Sequence, residues 1–584
     1  MASQENLYSS FQIVDEEEFL SYFKKLGEAI LVIPKEILYF ANVALSKNCM
    51  GAAKKKVTLD TIKSSEATET VAVLCIDDPV MLTKICKKLE LVPKYKKHII
   101  MIPRYSPSCQ STFEKIPNHE DIHITEFHAE IIPIAPDKFI VPVPLAYNNC
   151  FCEADISDVY TISRALLRLT LIHGFPSRVF TAGTISRRVY ELMQNLKHQI
   201  CSDNSSTYFS TKGAKYDDLF IIDRSCDNIT PFVTQCTYAG RLDEAFNPKY
   251  GFMELPDGIQ LEGYAPNSTI RLDDNDLVYK EVKSMNIAFA FDWMRNISTE
   301  ATKIQGLLNK TRGTPEWRQH SRRATEILKI RPFNNLHYQL IDRIPMAQTY
   351  VKHMRDFQFD VIFNNSTDFD QIYDFIHRGR YSDALQMLIL SSVTSDGIPQ
   401  SQLKKFEEIL LSLIGFDFVP DWIRLQAGGL ITPRTFLKFG SKFSTVMREL
   451  KLLIDDEKAP TNDFYAGYYP ITARLVENCL KTGWGPSSVC NKTMKNMGIE
   501  LNTYKVDEQQ PPKKSSDGKP FRRVLVFVVG GMTISEMSIF EKMGEQLFSD
   551  NQEFSYQFHC GSTDLITRTR LVETFCPSLA KNTI

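Results

Sequence analysis

What the 584-residue chain lacks narrows its class first. No apolar run approaches the ~20 residues that a membrane-spanning helix requires; runs such as Val524–Val529 are far shorter. Neither sign of charge is in excess, with 68 Lys and Arg against 70 Asp and Glu and a net charge of −2. The basic surplus of a protein that coats nucleic acid is therefore absent. The 13 cysteines contain no CxxC, and their nearest pair is Cys150 and Cys152. That spacing argues for buried thiols in a reducing compartment and against a disulfide framework or a structural metal. Met1–Phe19 holds no Lys or Arg but carries Glu5, Asp15, Glu16, Glu17 and Glu18, unlike a secretory signal or a transit peptide. A soluble intracellular protein is expected. GxGxxG, GxxxxGK[ST] and GxSxG are all missing, so neither a phosphate-cradling loop nor a hydrolase elbow has support.

What is present has an α/β pattern. Hydrophobic residues are 43% and charged residues 24%, ordinary for a globular chain, and the length implies roughly two to four domains. Thr70–Ile76 and His98–Ile102 read as buried strands, with a helix over Met81–Leu91 between them; Ile131–Ile134 and Phe139–Val143 read as strands too. Val159, Ile162, Leu166 and Leu169 recur at helical spacing, with Asp155 placed to cap the helix and Gly174 and Pro176 to end it. A polar loop from Cys201 to Lys215 precedes the strand Asp218–Asp223. From about 275 to 455 helical spacing dominates, broken at Gly379 and Asp396–Pro399. A polar stretch around 505–522 reads as a loop, followed by the strand Val524–Val529, the turn Gly530–Gly531 and a helix over Thr533–Leu547. A lone terminal strand–turn–helix cannot bury both of its faces, so it should complete the sheet begun near 150–250, with the helical region inserted between.

Two motifs invite chemistry. His119–His123 matches HExxH, which binds zinc only on a helix, where i, i+4 spacing brings both imidazoles to one metal; the preceding Pro117–Asn118 and the extended residues beyond favour a loop. Asp223 at a strand end invites a haloacid-dehalogenase-like phosphatase, but the second acid is due at 225, where Ser stands, and Asp227 comes later. The plainer alternative is an Asp223–Arg224 pair pinning the turn. Close packing of strand on helix accounts for Gly530 and Gly531.

Several segments together resemble the Sec/Munc (SM) family of SNARE-binding proteins: LFIIDRSCDNITP (219–231), TQCTYAGRLDEAF (234–246), HAEIIPIAPD (128–137) and VLVFVVGGMTISEM (524–537). Four more resemble its vacuolar protein sorting-associated protein 33 branch: 151–174, 371–398, RLQAGGLI (424–431) and 463–484. Departures are Cys226 and Asn228, both in a turn that the family packs with aliphatic residues. The resemblance implies an α/β, arch-shaped three-domain fold: domain 1 over 1–150, domain 2 over 151–250 and 461–584, and a largely helical domain 3 over 251–460 inserted into it.

It also implies a non-enzymatic role without cofactor or metal. Members bind SNARE proteins and template their assembly as a subunit of the HOPS and CORVET tethers, joined through a helical segment of vacuolar protein sorting-associated protein 16. They meet endosomal or lysosomal membranes through the tether, and no nucleic acid is involved. By position in the resemblance, Phe443 and Val446, with Leu450 added from helical spacing, are the expected tether-partner contacts. Because SNARE surfaces are acid-rich, Lys94, Lys96 and Lys97 in domain 1 and Arg318, Arg322 and Arg323 in domain 3 are the expected SNARE contacts. An α/β scaffold for another helical partner remains an alternative.

Overall fold

Thr70–Ile76 forms a strand whose five central side chains are all buried. A run with no polar face belongs inside a parallel sheet covered on both sides. The structure is a computed structural model and describes residues 9–62, 69–92, 94–202, 215–259, 261, 265, 268–344, 349–434, 442–454, 464–505, 513–514, 520–549 and 555–580. The chain divides into two units, Met1–Pro142 and Val143–Ile584.

In the first unit β1 (Ala29–Val32), β2 (Lys55–Val57), β3 (Thr70–Ile76), β4 (Lys96–Ile102) and β5 (Ile122–Glu126) form a sheet in the order β2-β1-β3-β4-β5. Every pair in it is parallel. β6 (Ile132–Ala135) and β7 (Lys138–Ile140) pair antiparallel. The helix expected over Met81–Leu91 spans Pro79–Glu90 and begins two residues earlier, because Asp78 accepts the Val80 N–H at 2.9 Å and Pro79 sits where no N–H is needed. Residues before 70, which the sequence left without assignment, supply β1, β2 and the helix Ser9–Leu26. That helix buries Phe11, Phe19 and Phe23, and Phe19 stacks on Phe23 at 5.0 Å and meets Phe127 edge-on at 5.4 Å.

The second unit contains β8 (Arg178–Ala182), β9 (Asp218–Asp223), the pair β10 (Phe252–Glu254) and β11 (Thr269–Arg271), then β12 (Leu501–Lys505), β13 (Lys513–Lys514), β14 (Pro520–Val529) and β15 (Ser555–Ser562). β8, β9, β14 and β15 run parallel in that spatial order, and β12 pairs antiparallel with β8. Val524 lies beside Asp218 and Val529 beside Asp223. Every named element between β11 and β12 is helical among the described residues. The chain thus leaves this sheet after β9 and re-enters it at β12.

The helix expected around Val159–Leu169 spans Ser157–His173 and ends at Gly174, whose φ of 82° suits glycine. Ile156, not Asp155, holds the N-cap position, though the Asp155 carboxylate accepts the Ser157 N–H at 2.8 Å. The loop expected over 505–522 is narrower than that. Lys505 ends β12, residues 520–522 open β14, and β13 pairs back onto Phe521 and Pro520. The rest of that stretch, and residues 203–214, lie outside the described residues.

Two long helices, Ile287–Lys310 and Glu316–Arg343, pack as a hairpin. Its base joins a core containing Tyr238, Leu242, Met294, Leu336 and Leu340. Toward the turn, a separate small core of Ile304, Ala324 and Ile327 comes from the two helices alone. Pro332 lies inside the second helix between these cores. It offers no N–H to the Leu328 carbonyl, and its ring crowds that oxygen.

Candidate functional site

Four of the segments that carry the family resemblance, 219–231, 234–246, 463–484 and 524–537, meet in one buried knot. Arg224, at the end of β9, is fully buried; its Nη1 donates to both Glu536 carboxylate oxygens at 3.1 and 2.8 Å, and its Nε donates to the Asp227 carbonyl at 2.8 Å. The guanidinium also lies 3.3 Å from the Asp227 carboxylate. Asp227 in turn accepts the backbone N–H groups of Ile229, Thr230 and Ile471 at 3.2, 3.0 and 2.9 Å, and the Tyr468 hydroxyl at 3.4 Å. Glu536 accepts from the Thr472 hydroxyl and closes a capping box with Thr533 at the start of the helix Ile534–Ser549. Tyr465 shares a hydrogen bond with Thr533. The Ser535 N–H donates to Gln235 at 3.0 Å, so the 234–246 segment joins the same cluster.

Electrostatics here are those of a structural joint. Burial alone would lower the Arg224 pKa, but the Glu536 and Asp227 carboxylates outweigh it and raise it. Burial raises the Glu536 carboxyl, against the pull of Arg224. A buried guanidinium with two carboxylate partners holds its neighbours in one arrangement because any rearrangement strands a charge. Sequence reasoning missed this knot. Its visible signal was three charged residues, Arg224, Asp227 and Glu536, each a few residues beyond a strand read as buried.

The pairing expected between Asp223 and Arg224 is not formed. Asp223 instead accepts the N–H groups of Ile185 and Ser186 at 2.9 and 2.6 Å, at the start of the helix Thr184–Ser202. Burial pushes its carboxyl up to about 7 despite these bonds. A Cβ at Gly183 would lie 2.2 Å from Asp223 Oδ2, so the carboxylate is sealed against backbone with both oxygens engaged. This is poor geometry for a nucleophile that must meet phosphate. His119 lies on a short 3-10 turn and His123 on β5, facing His98 with ring centroids 5.1 Å apart; the helical spacing that HExxH chemistry needs is not formed. Gly530 and Gly531 have φ of 101° and 102°, and a Cβ on them would strike Arg224 and Phe151, or Ile566. Close packing does account for both. Cys226 donates to the Ala182 carbonyl at 3.4 Å, and Asn228 accepts the Tyr147 hydroxyl at 2.7 Å, so the two departures from the family pattern are accommodated by polar contacts.

The expected binding residues fall into two groups. Phe443, Val446 and Leu450 lie on the helix Lys442–Leu450 and are buried in the chain's own interior at 4%, 2% and 3% exposure. Arg448 and Glu449 are the exposed residues of that helix whose side chains are described. Contact with a partner through Phe443 would require the helix to leave its seat. Lys94 and Lys96 are exposed, but Lys97 is buried, because adjacent strand residues point to opposite faces. Arg318 and Arg322 are exposed, whereas Arg323 is half-buried and held by Glu300 at 2.7 Å and Glu326 at 3.1 Å.

The Sec1 family model matches residues 48–574, and the chain belongs to the Sec1 family. Among curated proteins it is similar to the vacuolar protein-sorting-associated protein 33 homolog of Arabidopsis thaliana, 24% identical over 82% of this chain and 81% of that protein. It is also similar to vacuolar protein sorting-associated protein 33A of Rattus norvegicus, 22% identical over 76% of each. Among solved structures, the SM protein Vps45 in complex with the Qa SNARE Tlg2 matches with a TM-score of 0.57 at 13% identity, over 97% of this chain and 98% of that one. The fold is that of the SM proteins.

Proposed function

We propose that this chain binds SNARE proteins and regulates intracellular membrane fusion as the SM subunit of a HOPS or CORVET tether, acting in protein transport at endosomal and lysosomal membranes. The observation that carries this reading is similarity to vacuolar sorting 33 proteins across about four-fifths of both chains. A solved neighbour of the same fold holds a Qa SNARE. In this reading domain 1 covers 1–150, domain 2 covers 151–250 with 461–584, and the helical domain 3 covers 251–460.

The work is done by shape. SNARE motifs are disordered alone, and forming a four-helix bundle begins with a costly ordering step. A surface that holds two of them in register lowers that cost, as pre-organisation does for any association. The buried Arg224–Asp227–Glu536 knot supplies rigidity, and Lys94 and Lys96, with the exposed side of the long hairpin, supply contact. A phosphatase role for Asp223 finds no support in its sealed carboxylate.

The tether assignment is tested by titrating the full chain with the carboxy-terminal helical fragment of vacuolar protein sorting-associated protein 16. Tight stoichiometric binding supports it. No binding by folded protein removes the tether and leaves the SNARE role to be measured separately.

A further inference from the structure

We propose that the turn end of the Ile287–Lys310/Glu316–Arg343 hairpin docks directly onto an anionic lipid surface. Between Lys303 and Arg331 the sequence carries eight Lys and Arg against two acids, Glu316 and Glu326. Arg323 takes up Glu326 and also Glu300. The other seven cations, Lys303, Lys310, Arg312, Arg318, Arg322, Lys329 and Arg331, are all exposed and form no ion pair among the described residues.

This charge is interleaved with apolar surface. Leu307 is 41% exposed, Trp317 40% and Leu328 63%. Along the second helix Arg318, Arg322 and Lys329 follow one stripe at spacings of four and seven, while Trp317 and Leu328, eleven apart, follow the stripe beside it. Trp prefers the headgroup level of a bilayer, leucines reach below it, and Lys and Arg meet phosphate while their stems cover apolar surface. The cations extend beyond the Arg318, Arg322 and Lys329 stripe, since Lys303 and Lys310 lie on the first helix and Arg312 in the turn. They occupy both helices and the turn, which suits a broad anionic plane. Beneath them Ile304, Ala324 and Ile327, with Ala301 and Leu308 packed against them, form a small core supplied by the hairpin itself. The inference assigns to lipid Arg318 and Arg322, which the family resemblance would give to an acidic SNARE helix, and it goes beyond membership of a tether, which would bring the chain to membranes only indirectly.

The test is flotation of the full chain with vesicles of phosphatidylcholine alone or mixed with phosphatidylserine. Association is expected with the mixed vesicles only, falling as salt is raised. The triple variant Arg318→Glu, Arg322→Glu, Lys329→Glu should lose affinity on the order of a hundredfold or more; Arg318→Lys with Arg322→Lys, which keeps the charge, should retain it. Mixed vesicles should also shield Trp emission from acrylamide in the wild type, a change that Trp317→Phe abolishes. Failure of the wild type to float with mixed vesicles overturns the proposal. So does a folded triple variant with wild-type vesicle affinity; if that variant instead loses binding to an acidic SNARE helix, the surface is a protein-docking one.

Discussion

Arg224 and Glu536 lie 312 positions apart in the chain, yet the guanidinium and carboxylate meet at 2.8 Å with both side chains fully buried. Arg224 directly follows β9 and Glu536 lies in the first turn of the helix after β14, so the pair fastens the two portions of the sheet that the helical region separates. The Asp227 carboxylate lies 3.3 Å from the guanidinium, and the Thr472 hydroxyl donates to Glu536. Glycine at 530 lets β14 turn closely over Arg224, since a Cβ there would lie 2.8 Å from the Arg224 Cβ.

Removing one member of this knot should cost more than removing an exposed pair. Arg224→Met strands two buried carboxylates and is expected to lower unfolding free energy by about 3–5 kcal/mol. Glu536→Gln keeps the shape and one acceptor oxygen and leaves Arg224 its Asp227 partner, so it should cost less. Urea unfolding of both variants checks the order; equal or negligible costs would mean that the pair contributes little to joining the sheet.

Asp223 gives a pH dependence with a definite sign. Its carboxyl is raised from 3.8 to about 7 by burial, so the folded chain holds a proton there that the unfolded chain has released. Its contribution to stability is fully present below the unfolded value and is lost as pH rises through about 7, at roughly 1.4 kcal/mol per unit of difference. Relative to Asp223→Asn, wild-type stability should therefore decline between pH 4 and 7. Chemical denaturation across that range checks it, and a rising difference would contradict the assigned shift.

Phe443 tests where the helix Lys442–Leu450 faces. With 4% exposure, Phe443→Ala should cost about 3–5 kcal/mol by opening a cavity. Loss of partner binding in that variant should then accompany a lowered thermal midpoint. An unchanged midpoint with abolished binding would show that Phe443 serves the partner directly.

Gly531→Ala combines a φ of 102° with a Cβ placed 2.4 Å from Ile566 Cγ2. A loss of about 2–4 kcal/mol is expected from strain and overpacking together. In a double-mutant cycle with Ile566→Ala, which removes Cγ2, a smaller cost for Gly531→Ala would locate the clash.

Much of the fold is readable from pattern because its strands are buried on both faces. Thr70–Ile76 and Asp218–Asp223 coincide with β3 and β9, and the return of β signal at Val524 marks β14. What escaped was short or amphipathic. β1 is four residues long and β2 three, too brief for a period to declare itself, and β15 carries Ser, Gln, His and Gly in place of an apolar run. The candidate site was harder still. Exposure separates Lys96 from Lys97 by the alternation of a strand, and Arg322 from Arg323 by the reach of Glu300 on the facing helix. The partner of Arg224 depends on a contact across 312 positions, which no local spacing encodes.

SNARE recognition is best measured by calorimetric titration of the full chain with the cytosolic helical segment of a syntaxin-like Qa SNARE and with the assembled four-helix bundle. Saturable binding to at least one of them, weakened by Lys94→Glu with Lys96→Glu while the thermal midpoint is held, is the expected result. Folded wild-type protein that binds neither ligand would contradict the assignment of this chain to SNARE-dependent fusion.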